Sequence, residues 1–271
     1  MRQYIILISL ILVSLISCNQ NKSNQVDYNE LERTYNDSIR QDSINREKVF
    51  TALGDTVFGG VLYGMNIKQA MAAMKEFQGK LPVGKFGDGF MFSDIHFMDL
   101  DMHFTEGDKL PNEEIESLTK SLIYSTNVFW KNKLIIAHWN SYTIEANSLE
   151  DIDIVMNNLV NLFVNKFGPC SNRLSSVYDL RFQGPYGEWH FRGNVFARWE
   201  TSTRGIQISI NGEEDPTVRE KMERYNKYFY GVEIRFNNKK YDNEISAYVD
   251  SIKQIAVNKQ KQDSLKSVNA L

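Results

Sequence analysis

The densest run of chemically capable side chains in the sequence is Asp94, His96, Asp99, Asp101 and His103. Interleaved carboxylates and imidazoles are the raw material of a metal site or an acid–base pair. On one continuous strand Asp99, Asp101 and His103 share a face. The outer two then stand about 13 Å apart, too far for one ion held at about 2.0–2.2 Å. A turn at Asp99 would return Asp94 or His96 toward Asp101 and His103, so His96, Asp101 and His103 are the candidates for a metal or hydrolytic centre. The run Gly79-Lys80-Leu81-Pro82-Val83-Gly84-Lys85-Phe86 has the glycine and lysine spacing of a phosphate-binding loop. Phe86 stands where a hydroxyl must reach Mg²⁺, and a helical pattern precedes the loop where a strand is required. No Gly-x-Ser-x-Gly and no His-Glu-x-x-His occurs, so neither the hydrolase elbow nor the common zinc-protease helix is encoded. His138 and His190 each adjoin a tryptophan and read as sheet histidines, while Glu213, Glu214 and Asp215 precede Pro216 and read as a solvated turn. No cofactor is implied.

The two cysteines lie in different settings. Arg2 and the apolar stretch from Tyr4 to Ile16 precede Cys18. The stretch is shorter than the roughly 20 residues that span a bilayer, and a charged start, a short apolar run and small residues read as a secretory signal. Leu15-Ile16-Ser17-Cys18 resembles the lipobox of bacterial lipoproteins. The resemblance implies that Cys18 carries diacylglycerol on its sulfur, that residues 1–17 are removed as a signal peptide, and that the mature chain hangs from a membrane. The polar run Asn19 to Gln25 reads as a tether. No Asp follows Cys18 and no acidic cluster adjoins it. The resemblance then implies an outer-membrane lipoprotein of the cell envelope that faces the periplasm, like the lipoproteins of Bacteroidetes. With Cys18 acylated, Cys170 is left as a buried thiol, a reactive thiol or one half of an intermolecular disulfide.

Composition narrows the class. The 271 residues include 31 Lys+Arg and 34 Asp+Glu, a net charge of −3, with 42% hydrophobic residues and two Cys. This excludes a disulfide scaffold, a multi-span membrane protein and a wholly disordered chain. It also gives no electrostatic footprint for nucleic acid.

The elements that must position these residues follow from periodicity. Residues 18–50 read as a tether and a charged helix with a thin stripe of Tyr28, Leu31, Tyr35 and Ile39; residues 241–271 read as a helical tail. Between them, 51–240 form the folded body. Val57 to Tyr63 reads as a strand, and Phe90 to Phe104 as extended chain turning near Asp99. Ile115 to Ser125 and Leu134 to Tyr142 are further strand candidates. One helix opens at Asn66, with Gln69 at capping-box spacing, and stops at Gly79. A stronger one opens at Ser148 with Asp151, carries Leu149, Ile152, Met156, Leu159, Phe163 and Phe167 on one face, and stops at Gly168-Pro169. Alternation at Ile206, Ile208 and Ile210 and at Val232, Ile234 and Phe236 marks antiparallel strands. The pattern predicts an α+β fold, antiparallel sheets packed by two main helices, with two related helix-then-strands halves as a possible arrangement. Tyr63-Gly64-Met65-Asn66 before an alanine-rich run resembles the opening of small envelope lipoprotein modules of the BamE/SmpA type, a short likeness from which no role is carried over.

Gly193-Asn194 predicts a two-residue hairpin that sets Phe191 opposite Phe196 and Trp189 opposite Arg198. Trp189, Phe191, Phe196, Arg198 and Trp199 would then form an aromatic patch for an envelope protein or glycan. The functional expectation is a non-catalytic, lipid-anchored binding protein. The alternatives are an envelope hydrolase or metal-dependent enzyme built on His96, Asp101 and His103, and a structural tether that forms a homo-oligomer through its terminal helices.

Overall fold

The computed structural model describes residues 28–85, 87–111, 114, 126–177, 181–183, 189–191, 194–212 and 228–269. Cys18, Ile115 to Ser125, Glu213 to Asp215 and the turn residue Gly193 lie outside them. The chain divides into two compact units, 1–41 and 42–271, with the division inside the first helix, α1 (Tyr28–Ala52). Within the first unit α1 is solvated, with Tyr35 and Ile39 exposed.

An eight-stranded sheet organises the second unit. Its strands are β5 (Phe104–Glu106), β6 (Asn127–Trp130), β7 (Lys133–Asn140), β8 (Ile144–Ala146), β9 (Asn172–Arg173), β12 (Asn194–Glu200), β13 (Arg204–Gly212) and β14 (Tyr228–Asn238). The order is β5-β6-β7-β14-β13-β12-β9, with β8 also paired to β14; β5 and β6 run parallel and the other described pairs run antiparallel. Strands from before the long helix form one side of the sheet and strands from after it the other, and the two blocks meet where β7 and β8 pair with β14. The fold class is α+β, as the alternation of patterns required.

One face is apolar. Val232, Ile234 and Phe236 of β14 align with Ile210, Ile208 and Ile206 of β13, and Trp139 and Ala137 of β7 continue those rows. Two helices cover this face. Helix α2 (Ile67–Gln78) buries Ala70 and Met74, and α3 (Leu149–Phe167) buries Leu149, Ile152, Met156, Leu159, Val160, Phe163 and Phe167. Both open with the complete capping boxes read from sequence, Asn66 with Gln69 and Ser148 with Asp151. The carboxyl half of α1 docks through Phe50 against Phe167 and through buried Arg46, which donates to the carbonyls of Glu200 (3.2 Å) and Pro169 (3.0 Å).

Three short hairpins decorate the sheet. Val57 to Tyr63 is not one strand but the hairpin β1 (Thr56–Phe58) and β2 (Val61–Leu62), because Gly59 and Gly60 both take positive φ. The reversal expected at Asp99 comes first at Ser93-Asp94 (φ 50° and 63°), between β3 (Phe90–Phe92) and β4 (Ile95–Phe97). Asp tolerates this left-handed backbone, which a two-residue hairpin demands at both central positions. The third hairpin joins β10 (Arg181–Gln183) and β11 (Trp189–Phe191).

The other sheet face is divided. Toward β6 it is apolar: Val128, Trp130 and Ile136 lie under Ile245 and Val249 of α4 (Asp242–Asn269). Beyond Ile252 the tail helix is solvated, with Ile255 and Val257 exposed. No described helix is long and apolar enough to cross a membrane.

Candidate functional site

The face opposite α2 and α3 becomes polar between β7 and β12. Cross-strand register lines up His138, Arg235, Gln207 and Arg198 in one row over four adjacent strands. Asn140, Glu233 and Ser209 form the next row. The residues interlock. Arg198 donates to Gln207 Oε1 (3.2 Å), Gln207 Nε2 donates to Ser209 Oγ (2.8 Å), and Asn211 Nδ2 donates to Glu233 Oε1 (2.6 Å). His138 Nε2 lies 3.9 Å from Glu233 Oε2, and both side chains are sheltered, 5% and 15% exposed. The His138 amide donates to Asn127 Oδ1 (2.9 Å), which fixes the strand that carries the imidazole. At the outer end Arg198 is 41% exposed and faces Glu200 (3.9 Å). Three interstrand gaps of about 4.8 Å make the first row about 14 Å long. Its amide, guanidinia and imidazole, with the Glu233 carboxylate of the next row, can exchange directional hydrogen bonds with a polar ligand.

Strand β11 comes against β13.

The aromatic patch expected from sequence is not built. Phe191 is registered with Arg181 and Trp189 with Gln183 in β10–β11, not with Phe196 and Arg198. The partner of β12 is β13 on one side and β9 on the other. Phe196 and Trp199 are fully buried in the apolar core, and the Trp199 indole N–H donates to the Gly168 carbonyl (2.8 Å). A register shift between Val195 and Ala197 sets Phe196 and Trp199, three residues apart, on the same buried side; a bulge does this by adding one residue to one strand. Arg198 alone of the five stands in the polar rows.

A second cluster surrounds His96. The hairpin β3–β4 is tied to the end of β7, with the Met98 amide donating to the Asn140 carbonyl (2.8 Å) and Tyr142 N–H to the His96 carbonyl (3.0 Å). This brings Tyr142 against the His96 ring, centroids 4.3 Å apart. His96 Nε2–H donates to the Asp88 carbonyl (2.9 Å), and the Tyr142 hydroxyl donates to Asp88 Oδ2 (2.7 Å). That hydrogen bond, aided by burial, pushes the Tyr142 hydroxyl up to about 12. The Gly84–Gly89 loop wraps the imidazole so closely that a Cβ at Gly84 would lie 2.0 Å from Nε2. Asp99 accepts from the Gly89 amide (3.0 Å) and from Gln78. The phosphate-loop look-alike is thus a glycine loop folded onto His96, with its backbone engaged by the protein.

Asp101 is half-buried and His103 exposed, and the His103 carbonyl receives Asn127. They do not join His96 in a ligand set: among the described residues no three His, Cys, Asp or Glu side chains stand as a metal site requires. The Cys170 thiol is half-buried and pushed up by that burial, with Arg173 pulling the other way. Neither a family, nor a curated protein, nor a solved structure matches this chain. Function is therefore read from geometry alone. Sequence alternation marked the polar positions of each strand as opposite to Ile206, Ile208, Ile210, Val232, Ile234 and Phe236, and His138 as a sheet residue. Their assembly into rows depends on the pairing of β7 with β14, strands far apart in the chain, which no local pattern encodes.

Proposed function

We propose that the protein is a lipid-anchored component of the bacterial cell envelope, held in the outer membrane through Cys18 and facing the periplasm, and that its α+β unit binds an envelope glycan without transforming it. The row His138–Arg235–Gln207–Arg198 carries this reading. Its donors and acceptors are held in place by one another and by the sheet, and its outer end is exposed. A polar ligand rich in hydroxyl groups meets such a surface with little ordering cost, whereas a protein partner docks best on apolar anchors. Those anchors, Phe196 and Trp199, are in the core.

Two experiments test the reading. Detergent-solubilised full-length protein should co-sediment with insoluble envelope glycan, and Arg198→Ala should weaken retention about tenfold, the equivalent of one charged hydrogen bond. Retention on no envelope glycan, together with in-cell crosslinking to a single protein, would replace the glycan with a protein partner. Labelling of cells with radioactive palmitate should mark the wild type and not Cys18→Ala; label persisting on the mutant would remove the lipid anchor from the proposal.

A further inference from the structure

The inward-facing row of β13 ends on a charge. Arg204 alternates with Ile206, Ile208 and Ile210 and stands in register with Asn238 of β14. Its side chain is 8% exposed. A guanidinium taken out of water needs acceptors for its N–H groups. Among the described residues that side chain donates no hydrogen bond. It has Asp55 Oδ1 at 3.5 Å and the Tyr63 ring, whose centroid lies 5.6 Å away. Tyr63 is buried as well, and its hydroxyl makes no hydrogen bond among the described residues. Burial holds that hydroxyl above the ordinary phenol range, so it remains a donor at neutral pH. Neither group is among the sealed, partnerless polar atoms of the described residues, so solvent reaches both. The backbone beneath the guanidinium is fixed: the Arg204 amide donates to Thr201 Oγ1 (3.0 Å), and the Arg204 carbonyl accepts from the Thr201 amide (2.9 Å). Asp55 is a looser partner. It lies in the turn after α1, beside Gly54 at φ 57°, with its side chain 53% exposed and Lys240 Nζ 3.3 Å from the same oxygen. A second anion on the guanidinium would leave Asp55 in water and still paired with Lys240. Neighbouring Lys239 is engaged by Glu200 (3.0 Å). The uncommitted groups are therefore donors, guanidinium N–H and phenol O–H, and Arg204 with Lys240 exceeds Asp55 by one positive charge. An acceptor-only group answers them, and an oxyanion offers a guanidinium two oxygens at once.

We propose that Arg204 and Tyr63, at the end of the apolar sheet face, form a binding site for an oxyanionic group, a phosphate or a carboxylate, with Asp55 as the internal carboxylate that the ligand displaces. Arg204 and Gln207 differ in strand parity, so the site lies on the other side of the sheet from the polar rows and is independent of the glycan reading. The test is thermal unfolding of the full-length protein in neutral detergent at about pH 7, titrated to about 50 mM with sodium phosphate, sodium acetate or, at matched ionic strength, sodium chloride. The expected result is a saturable rise of the midpoint with phosphate or acetate beyond that in chloride, and the anion that gives it identifies the group. Saturation separates a site from the general stabilisation that excluded salts give. Asp55→Asn removes the competing charge and should tighten the apparent affinity about fivefold. Tyr63→Phe keeps the ring and should weaken it about fivefold, the equivalent of one neutral hydrogen bond. Arg204→Lys should weaken it about tenfold, because an ammonium cannot hold an oxyanion through two parallel N–H groups. Lys80→Ala, which removes an exposed lysine paired with Glu76, should bind as the wild type does. A wild-type midpoint that rises no further in phosphate or acetate than in chloride would overturn the proposal. Wild-type affinity in folded Tyr63→Phe and Asp55→Asn would overturn it too, and these two variants decide the matter if Arg204→Lys does not fold. Neither outcome bears on co-sedimentation with envelope glycan.

Discussion

Trp139 and Trp199 are both buried, and their indole nitrogens have opposite fates. Trp199 Nε1 donates to the Gly168 carbonyl at 2.8 Å, pinning the end of α3 to β12. Trp139 Nε1 has no hydrogen-bond partner among the described residues and sits among the rings of Phe58, Phe77, Phe90, Phe92, Phe97, Phe163 and Phe236. Several of those rings meet it in T-shaped pairs, a favoured geometry for aromatic packing. Each Trp→Phe change removes similar ring volume, so the two should differ by the hydrogen bond alone. Trp199→Phe is expected to cost about 1 kcal/mol more than Trp139→Phe in urea unfolding. Equal losses would mean that the Gly168 contact contributes nothing net. At this scale the sequence marked Trp199 as aromatic and strand-borne, but its burial was hidden by the register shift in β12.

At the scale of elements, the helices were legible and their attachment was not. Asn66 and Ser148 are N-caps by residue type and by spacing, and the backbone amides they receive are local. Removing either cap by substitution to Ala should cost about 1 kcal/mol. Helix α1 is different. Its stripe is thin and its composition solvated, yet Arg46 reaches two carbonyls that lie 123 and 154 residues away in sequence. A charged donor satisfying two buried acceptors is worth about 1.5–3 kcal/mol. Arg46→Ala should lower stability by about that amount, and Arg46→Met, which keeps the apolar stem, should recover a minor part. Hydrogen exchange should show the amides of 42–52 opening ahead of those of β13 in Arg46→Ala. Simultaneous opening would show that α1 is held by Phe50 and not by Arg46.

For the whole molecule, buried tyrosines set a ceiling on pH. Burial holds the Tyr63 hydroxyl well above the ordinary phenol range, with Arg204 and Arg235 pulling back, and burial pushes Tyr230 up to about 12. The folded state keeps protons that the unfolded chain releases near pH 10, so this stabilisation is intact below about pH 10 and is lost as pH rises beyond it. Each such tyrosine steepens the loss by up to about 1.4 kcal/mol per pH unit. Urea midpoints are expected to stay level from about pH 8 to about pH 10 and then fall, less steeply in Tyr230→Phe. A level profile to about pH 11 would mean that these hydroxyls ionise in the folded state without cost.

The sequence by itself determined the α+β class, both capped helices, the alternating strands β13 and β14, and the resemblance of residues 15–18 to a lipobox. Each of these is a local property, set by a few neighbouring residues and their periodicity. Only the tertiary structure decided that strands on both sides of α3 enter one sheet, that Phe196 and Trp199 are core, and that His96 closes a glycine loop apart from any metal set with Asp101 and His103. It also decided that His138, Gln207 and Arg235 stand in one row. These outcomes hang on strand order and on single-residue register shifts. A shift of one residue moves every side chain of a strand to the other face, and the pairing that resists the shift is made by residues far away in the chain.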